Sequence, residues 1–97
     1  MSLASVIVKL LGLFRKTYGK DKVSFKITES ISISDLIRLM TTSSPNFAKV
    51  IIDPELEDPR PNALILVNGK EISALNGLQT LLNDGDEVVL IPVTHGG

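Results

Sequence analysis

Groups able to do chemistry are scarce in this 97-residue chain, and the most distinctive ones close it: His95, Gly96 and Gly97. There is no Cys, which removes thiolate nucleophiles, disulfide scaffolds, zinc ribbons and iron–sulfur clusters. His95 is the single histidine. A self-sufficient enzyme would therefore have to run on carboxylates, lysines or an imported cofactor, and carrying or binding fits this inventory better than catalysis in cis. Two adjacent glycines make the narrowest peptide available, able to thread a channel and to take backbone angles closed to other residues. The stretch Pro92, Val93, Thr94, His95, Gly96, Gly97 extends to roughly 20 Å, enough to deliver a terminal carboxylate deep into another protein. Taken alone, a diglycine ending reads first as a frayed end or a cloning remnant.

The remaining candidates carry simpler readings. Asp84, Asp86 and Glu87 are clustered acids of the kind that suit calcium or magnesium, but an Asp-Gly-Asp stretch ahead of a strand is more simply a tight turn, and no metal site is expected. Asn68-Gly69 is hairpin chemistry and not a phosphate loop, because no helix start follows it. Lys70 and the lysines of the first half could accept a modifier, with nothing to single one out.

These groups need a scaffold to position them. Val6 to Leu11 is β-branched and aliphatic and predicts a first strand, and Lys22 to Ile27 alternates polar with apolar as a second. The intervening Gly12 to Tyr18 is too long for a tight turn and predicts strand extension or a wide loop. Ser34-Asp35 predicts the start of a main helix over 34–42, and Ser44-Pro45 a second, shorter one with Phe47, Val50 and Ile51 on its apolar face. Asp53 to Asn62 holds three prolines and four acids and predicts an irregular exposed connection. Ala63 to Val67 and Lys70 to Ile72 flank the Asn68-Gly69 turn as strands. Leu75 to Leu82 predicts an irregular stretch with buried leucines, and Glu87 to Ile91 a last strand stopped by Pro92.

This order describes one α+β domain over residues 1–92 with a tail at 93–97, a sheet with its helices on one face. Three strands are apolar at consecutive positions, the pattern of strands covered on both sides, yet one main and one short helix cover only one. The other face should therefore expose an aliphatic patch fit for docking, unless the second helix or the connection 53–62 folds over it. Alternation points Val6, Val8, Leu10, Val88 and Leu90 toward the helices and Ile7, Leu11, Val89 and Ile91 away, with Leu64 and Leu66 as the outward pair of the middle strand.

Charge is uneven along the chain: +5 over residues 1–50 and −6 over residues 51–97. The acidic half suggests steering toward a basic partner, against the simpler reading of a solvated mixed surface. An overall charge of −1 and 4% aromatics exclude the usual profile of a nucleic-acid binder. Leu3 to Phe14 falls short of a secretory segment, since Lys9 interrupts it and the basic residues follow it; Met1 to Leu3 is compatible with an expression leader. No membrane segment is present. A cytoplasmic protein is expected.

The stretch Val67-Asn68-Gly69-Lys70-Glu71-Ile72, then Gly77-Leu78, then Leu82-Asn83-Asp84-Gly85-Asp86-Glu87-Val88, ending on Pro92-Val93-Thr94-His95-Gly96-Gly97, resembles the ubiquitin-like sulfur-carrier family. That family includes the small subunit of molybdopterin synthase (MoaD), the thiamine-pathway carrier ThiS, the ubiquitin-related modifiers and the small archaeal modifiers. Phe14-Arg15 after the first strand matches its opening segment more loosely. The resemblance implies a β-grasp fold with a flexible tail, and a carrier that holds no cofactor itself. An E1-like adenylating enzyme would use ATP and magnesium to activate the Gly97 carboxylate, and a sulfur donor would displace AMP to leave a thiocarboxylate. The sulfur would pass to a precursor held by a second partner, such as a molybdopterin synthase large subunit or a tRNA thiolase. Alternatively, activated Gly97 would be joined to a lysine of a target protein. By the same resemblance Gly96 permits threading, Pro92, Val93, Thr94 and His95 line the tail's path, and Leu11 and Ile91 belong to the partner interface. A His-Gly-Gly ending is more like the ubiquitin-related modifiers, and the single Pro92 departs from the double proline of some molybdopterin carriers. Molybdenum cofactor, thiamine, tRNA thiolation and protein tagging all remain open as pathways.

Overall fold

A computed structural model describes residues 3–93. The strands are β1 (Ala4–Leu10), β2 (Lys22–Ile27), β3 (Ile31–Ser32), β4 (Ala63–Val67), β5 (Lys70–Glu71), β6 (Leu81–Leu82) and β7 (Glu87–Pro92). The helices are α1 (Gly12–Tyr18), α2 (Ile33–Ser43) and α3 (Pro45–Ile51). Five strands make one mixed sheet in the order β2-β1-β7-β4-β5, and β3 with β6 makes a separate two-stranded piece. Within the large sheet β1 and β7 run parallel, with Ile7 opposite Glu87 and Leu10 opposite Leu90; the other pairs are antiparallel.

Side-chain alternation settles which face is covered. Val6, Val8, Leu10, Ile65, Val88 and Leu90 are fully buried with Leu36, Met40, Phe47 and Ile51 in one core. All three helices lie on that side. Ile52, Glu57 and Pro59 of the connection line one cavity with Ile37, Arg38 and Thr41 of α2, which places the connection on the helix side and leaves the other face of the sheet open. Among the described residues no helix is long and apolar enough to cross a membrane.

Four local expectations need correction. Gly12 to Tyr18 is neither strand nor wide loop but a helix, so the fold has three helices where two were expected. No side chain caps its start at Leu11, and the signals it does carry lie elsewhere. Phe14 and Tyr18 stand at i and i+4 and both meet the Phe47 ring edge-on, with centroids 5.7 and 5.3 Å away. Gly19, at φ +89°, ends the helix in the left-handed conformation. Packing onto α3, and not local propensity, holds this short segment helical.

The main helix starts one residue earlier than expected, at Ile33, with Ser32 and not Ser34 at its N-cap. The Ser32 hydroxyl accepts the Asp35 N–H and the Asp35 carboxylate accepts the Ser32 N–H, both at 3.1 Å, a reciprocal capping box. Leu11, expected in the first strand, lies one residue beyond it. Of the leucines from 75 to 82 only Leu82 is fully buried, while Leu75 and Leu81 are exposed, because that stretch is two short 3-10 turns leading into the pairing of Leu82 with Ile31.

Hydrogen bonds from the Ser32 backbone N–H and then from its side chain hold the Asp35 carboxyl below the usual carboxylate range. Ser32→Ala should cost about 1 kcal/mol, and each such loss lowers the melting temperature of a domain this size by about 4–8 °C; Ser34→Ala should leave it nearly unchanged. A folded-state pKa held down makes the Asp35 contribution complete above the ordinary carboxylate pKa and loses it as pH falls through the lowered value. Thermal melts of Asp35→Asn should accordingly differ from those of the unaltered chain at neutral pH and converge with them in acid.

Candidate functional site

The open face of the sheet is built from two central strands and one beside them. On β4 and β7, Leu66 stands opposite Val89 and Leu64 opposite Ile91, a block of four aliphatic side chains. All four are half-buried, while their chain neighbours Ile65, Val88 and Leu90 are fully buried. Ile7 extends the block onto β1. Lys9, opposite Val89, sits at its β1 flank, and its ammonium reaches the Glu87 carboxylate at 3.3 Å. The surface is thus aliphatic with one internal ion pair, and Leu11 borders it with 46% of its area exposed.

The end of β7 defines where the tail begins. Pro92 pairs with Ala63, and the Val93 N–H donates to the Asn62 carbonyl at 3.0 Å. On the opposite side the Leu11 N–H donates to the Leu90 carbonyl at 3.2 Å. Gly12, at φ +53°, lies so close that a Cβ there would come 3.3 Å from Pro92 Cγ. The base of the tail is therefore held between the start of α1 and the end of the 53–62 connection. Of the expected tail residues, Pro92 and Val93 are placed here; Thr94, His95, Gly96 and Gly97 lie outside the described residues. The contact between Gly12 and Pro92 has no signal in the sequence beyond the glycine itself.

The acids resolve into structural roles. Asp84 Oδ1 accepts the Ser5 N–H at 2.8 Å, and Asp86 accepts the Asn83 N–H at 2.7 Å and the Asn68 side-chain N–H at 2.9 Å. These carboxylates tie the 83–86 turn to β1 and to the Asn68-Gly69 turn, and among the described residues no cluster of His, Cys, Asp or Glu could hold a metal ion. In the connection, Asp53 accepts the N–H groups of Glu55 and Leu56. Asp58 accepts the backbone N–H of Arg60 and pairs with its guanidinium, which holds the Asp58 carboxyl below its usual range.

If the Gly12 contact sets the tail's exit, Gly12→Ala should destabilise by about 1–2 kcal/mol, the cost of a left-handed L-residue, plus the repulsion from Pro92. A cycle with Pro92→Ala should then show a favourable coupling. Additive losses in urea titrations would place the whole cost in the backbone of Gly12.

Comparison with known proteins agrees with this geometry. The model of the ThiS family matches residues 8–97. Small archaeal modifier protein 3 of Haloferax volcanii is 28% identical over 91 residues, covering 93% of this chain and 96% of that protein. A relative from Archaeoglobus fulgidus with the provisional name of a sulfur carrier protein is 32% identical over 71 residues, 71% of this chain and 77% of its own. The solution structure of small archaeal modifier protein 1 from Methanosarcina acetivorans superposes with a TM-score of 0.81 at 29% identity, each chain covered in full. The mixed sheet with its helices on one side is the ubiquitin-like β-grasp, the family's members are small carriers and modifiers and not catalysts, and this chain belongs to the ThiS family.

Proposed function

We propose that this protein is a sulfur carrier whose reactive group is made at Gly97 by another enzyme. The observation that carries the reading is the absence of cysteine from a chain whose family match runs through Gly97. With no thiol in any side chain, sulfur has only the backbone terminus on which to ride. A carboxylate is a poor electrophile, so an E1-like enzyme, using its own ATP and magnesium, first joins the Gly97 carboxylate to AMP with loss of pyrophosphate. Sulfide supplied by a donor then attacks the acyl carbon, AMP leaves with the electron pair of the acyl–oxygen bond, the sulfur's proton passes to solvent, and a thiocarboxylate remains as a soft nucleophile for transfer to a precursor on a second partner, in cofactor assembly or tRNA thiolation.

This chain's own residues bind and aim. Ile7, Leu64, Leu66, Val89 and Ile91 offer the activating enzyme a flat apolar surface, with Leu11 at its border. Pro92 and Val93 start the tail in a fixed direction, and Thr94, His95 and Gly96 thread it toward the adenylating site. A second reading, conjugation of activated Gly97 to lysines of target proteins, draws support from the two relatives named as small archaeal modifiers.

Deleting Gly97, or adding one residue after it, should abolish ATP-dependent activation in an adenylation assay while melting curves stay unchanged; normal activation of the extended chain would sink the proposal. Intact-mass measurement of protein from its native cells separates the two outcomes. Exchange of one oxygen for sulfur marks the carrier, and a ladder of protein adducts marks the modifier.

Leu66→Asp and Ile91→Asp should each weaken capture of the activating enzyme at least tenfold, the loss expected for a central apolar contact. Both should remain folded by amide NMR. Val88→Asp, which forces a charge into the core at a cost of several kcal/mol, should not.

A further inference from the structure

Most acids of the second half accept hydrogen bonds or ion pairs within the fold, whereas of the first half's cations only Lys9 forms an ion pair among the described residues. Arg15 and Lys16 lie in the last turn of α1, Lys20 follows in the turn, and Lys22 opens β2. With Gly19 and Asp21 the four line one shallow groove, four cations against a single carboxylate. Each is exposed, and none takes part in an ion pair among the described residues. The helix dipole accounts for basic residues at the end of α1. It does not account for Lys20 or Lys22.

Lys22 is placed against local electrostatics. It stands directly opposite Lys9 across β1 and β2, an arrangement that costs stability in an antiparallel pair. Lys9 is relieved by Glu87 at 3.3 Å, whereas Lys22 gains no such partner. A neighbouring depression shares Arg15, Asp21 and Lys22 with the basic groove and runs on to Lys9 and Leu11. The positive groove is thereby continuous with exposed Leu11, with the edge of the aliphatic face, and with the Gly12 contact at the base of the tail.

We propose that this groove receives an acidic segment of the enzyme that activates Gly97, with an apolar side chain of that segment seated on Leu11. The inference rests on the activation reading above and names the chemistry of its partner. Opposite charge draws the two proteins together before contact. Because the groove lies to one side of the tail, it also selects one rotation of the carrier on its enzyme and so aims the tail. A nucleic-acid strand would be served by bases stacking on exposed aromatic rings. Here Phe14 and Phe47 are buried, Tyr18 packs on Phe47, and Phe25 packs on the core. The apolar border favours a polypeptide.

Two measurements on the full chain test this. In the first, a short synthetic peptide of acidic residues flanking one leucine is titrated into the labelled protein and followed by amide NMR, with an oligouridylate of equal charge as the second probe. Shifts confined to Arg15, Lys16, Lys20, Lys22 and Leu11, screened by salt and stronger for the peptide, support the proposal. Peptide shifts that are absent or lie elsewhere overturn it, as does tighter binding of the oligouridylate in the groove. In the second, Lys20→Glu with Lys22→Glu should raise the KM for the carrier in ATP-dependent activation on the order of tenfold with kcat unchanged, while Lys26→Glu, on the same strand but outside the groove, changes neither. An unchanged KM in the double variant also overturns the proposal. Failure of the unaltered chain to be activated counts against the Gly97 reading alone and leaves the peptide titration as the deciding measurement.

Discussion

The parallel pairing of β1 with β7 is the constraint on which the rest of this structure depends. It brings Ile7 beside Glu87 and Leu10 beside Leu90, joining the two ends of the domain at the centre of the sheet. A parallel pair cannot be closed by a hairpin and needs a crossover; here everything from α1 to the 83–86 turn serves as that connection. Because β7 is flanked by β1 and β4, the strand nearest the tail has no free edge. Pro92 and Val93 are therefore placed by the middle strand of the sheet.

That arrangement also explains which parts of the fold were legible in the sequence. Central strands buried on one face and half-covered on the other read as aliphatic runs, so β1, β4 and β7 were plain, and the period of two assigned their faces. The connection at 53–62 was equally plain, since three prolines leave little regular structure open to it. What escaped notice depends on distant partners. The helix at Gly12–Tyr18 exists because Phe14 and Tyr18 find Phe47, a residue in another helix. The two-residue strands β3 and β6 exist only through each other. Ser32 and Ser34 both precede the apolar stripe, and only the capping box with Asp35, three residues after Ser32, separates them. That spacing was available in the sequence as the stronger signal.

The site was legible in a different way. The aliphatic face followed from counting helices against doubly apolar strands, although the third helix changed the count; it joined the already covered side, leaving the conclusion intact. The grip on Pro92 was not legible, because no local pattern relates Gly12 to a residue 80 positions later. Thr94 to Gly97, outside the described residues, carry their meaning through composition and family.

Charge shows most clearly how a sequence total can mislead. The acidic second half suggested a surface turned toward a basic partner. In the fold, Asp84 and Asp86 fasten a turn, Asp53 and Asp58 shape the connection, and Glu87 holds Lys9. Each of these carboxylates has a structural task inside the chain, and Asp58 and Glu87 are also paired with a cation. Arg15, Lys16, Lys20 and Lys22 gather positive charge around one short turn, four cations against Asp21, with none of the four in an ion pair among the described residues. A long-range field is set by charge left uncompensated within about a Debye length, about 8 Å at physiological salt, and not by totals over half a chain. The near-neutral sum of −1 therefore conceals a local excess of positive charge, four cations against Asp21, in a groove that adjoins Leu11.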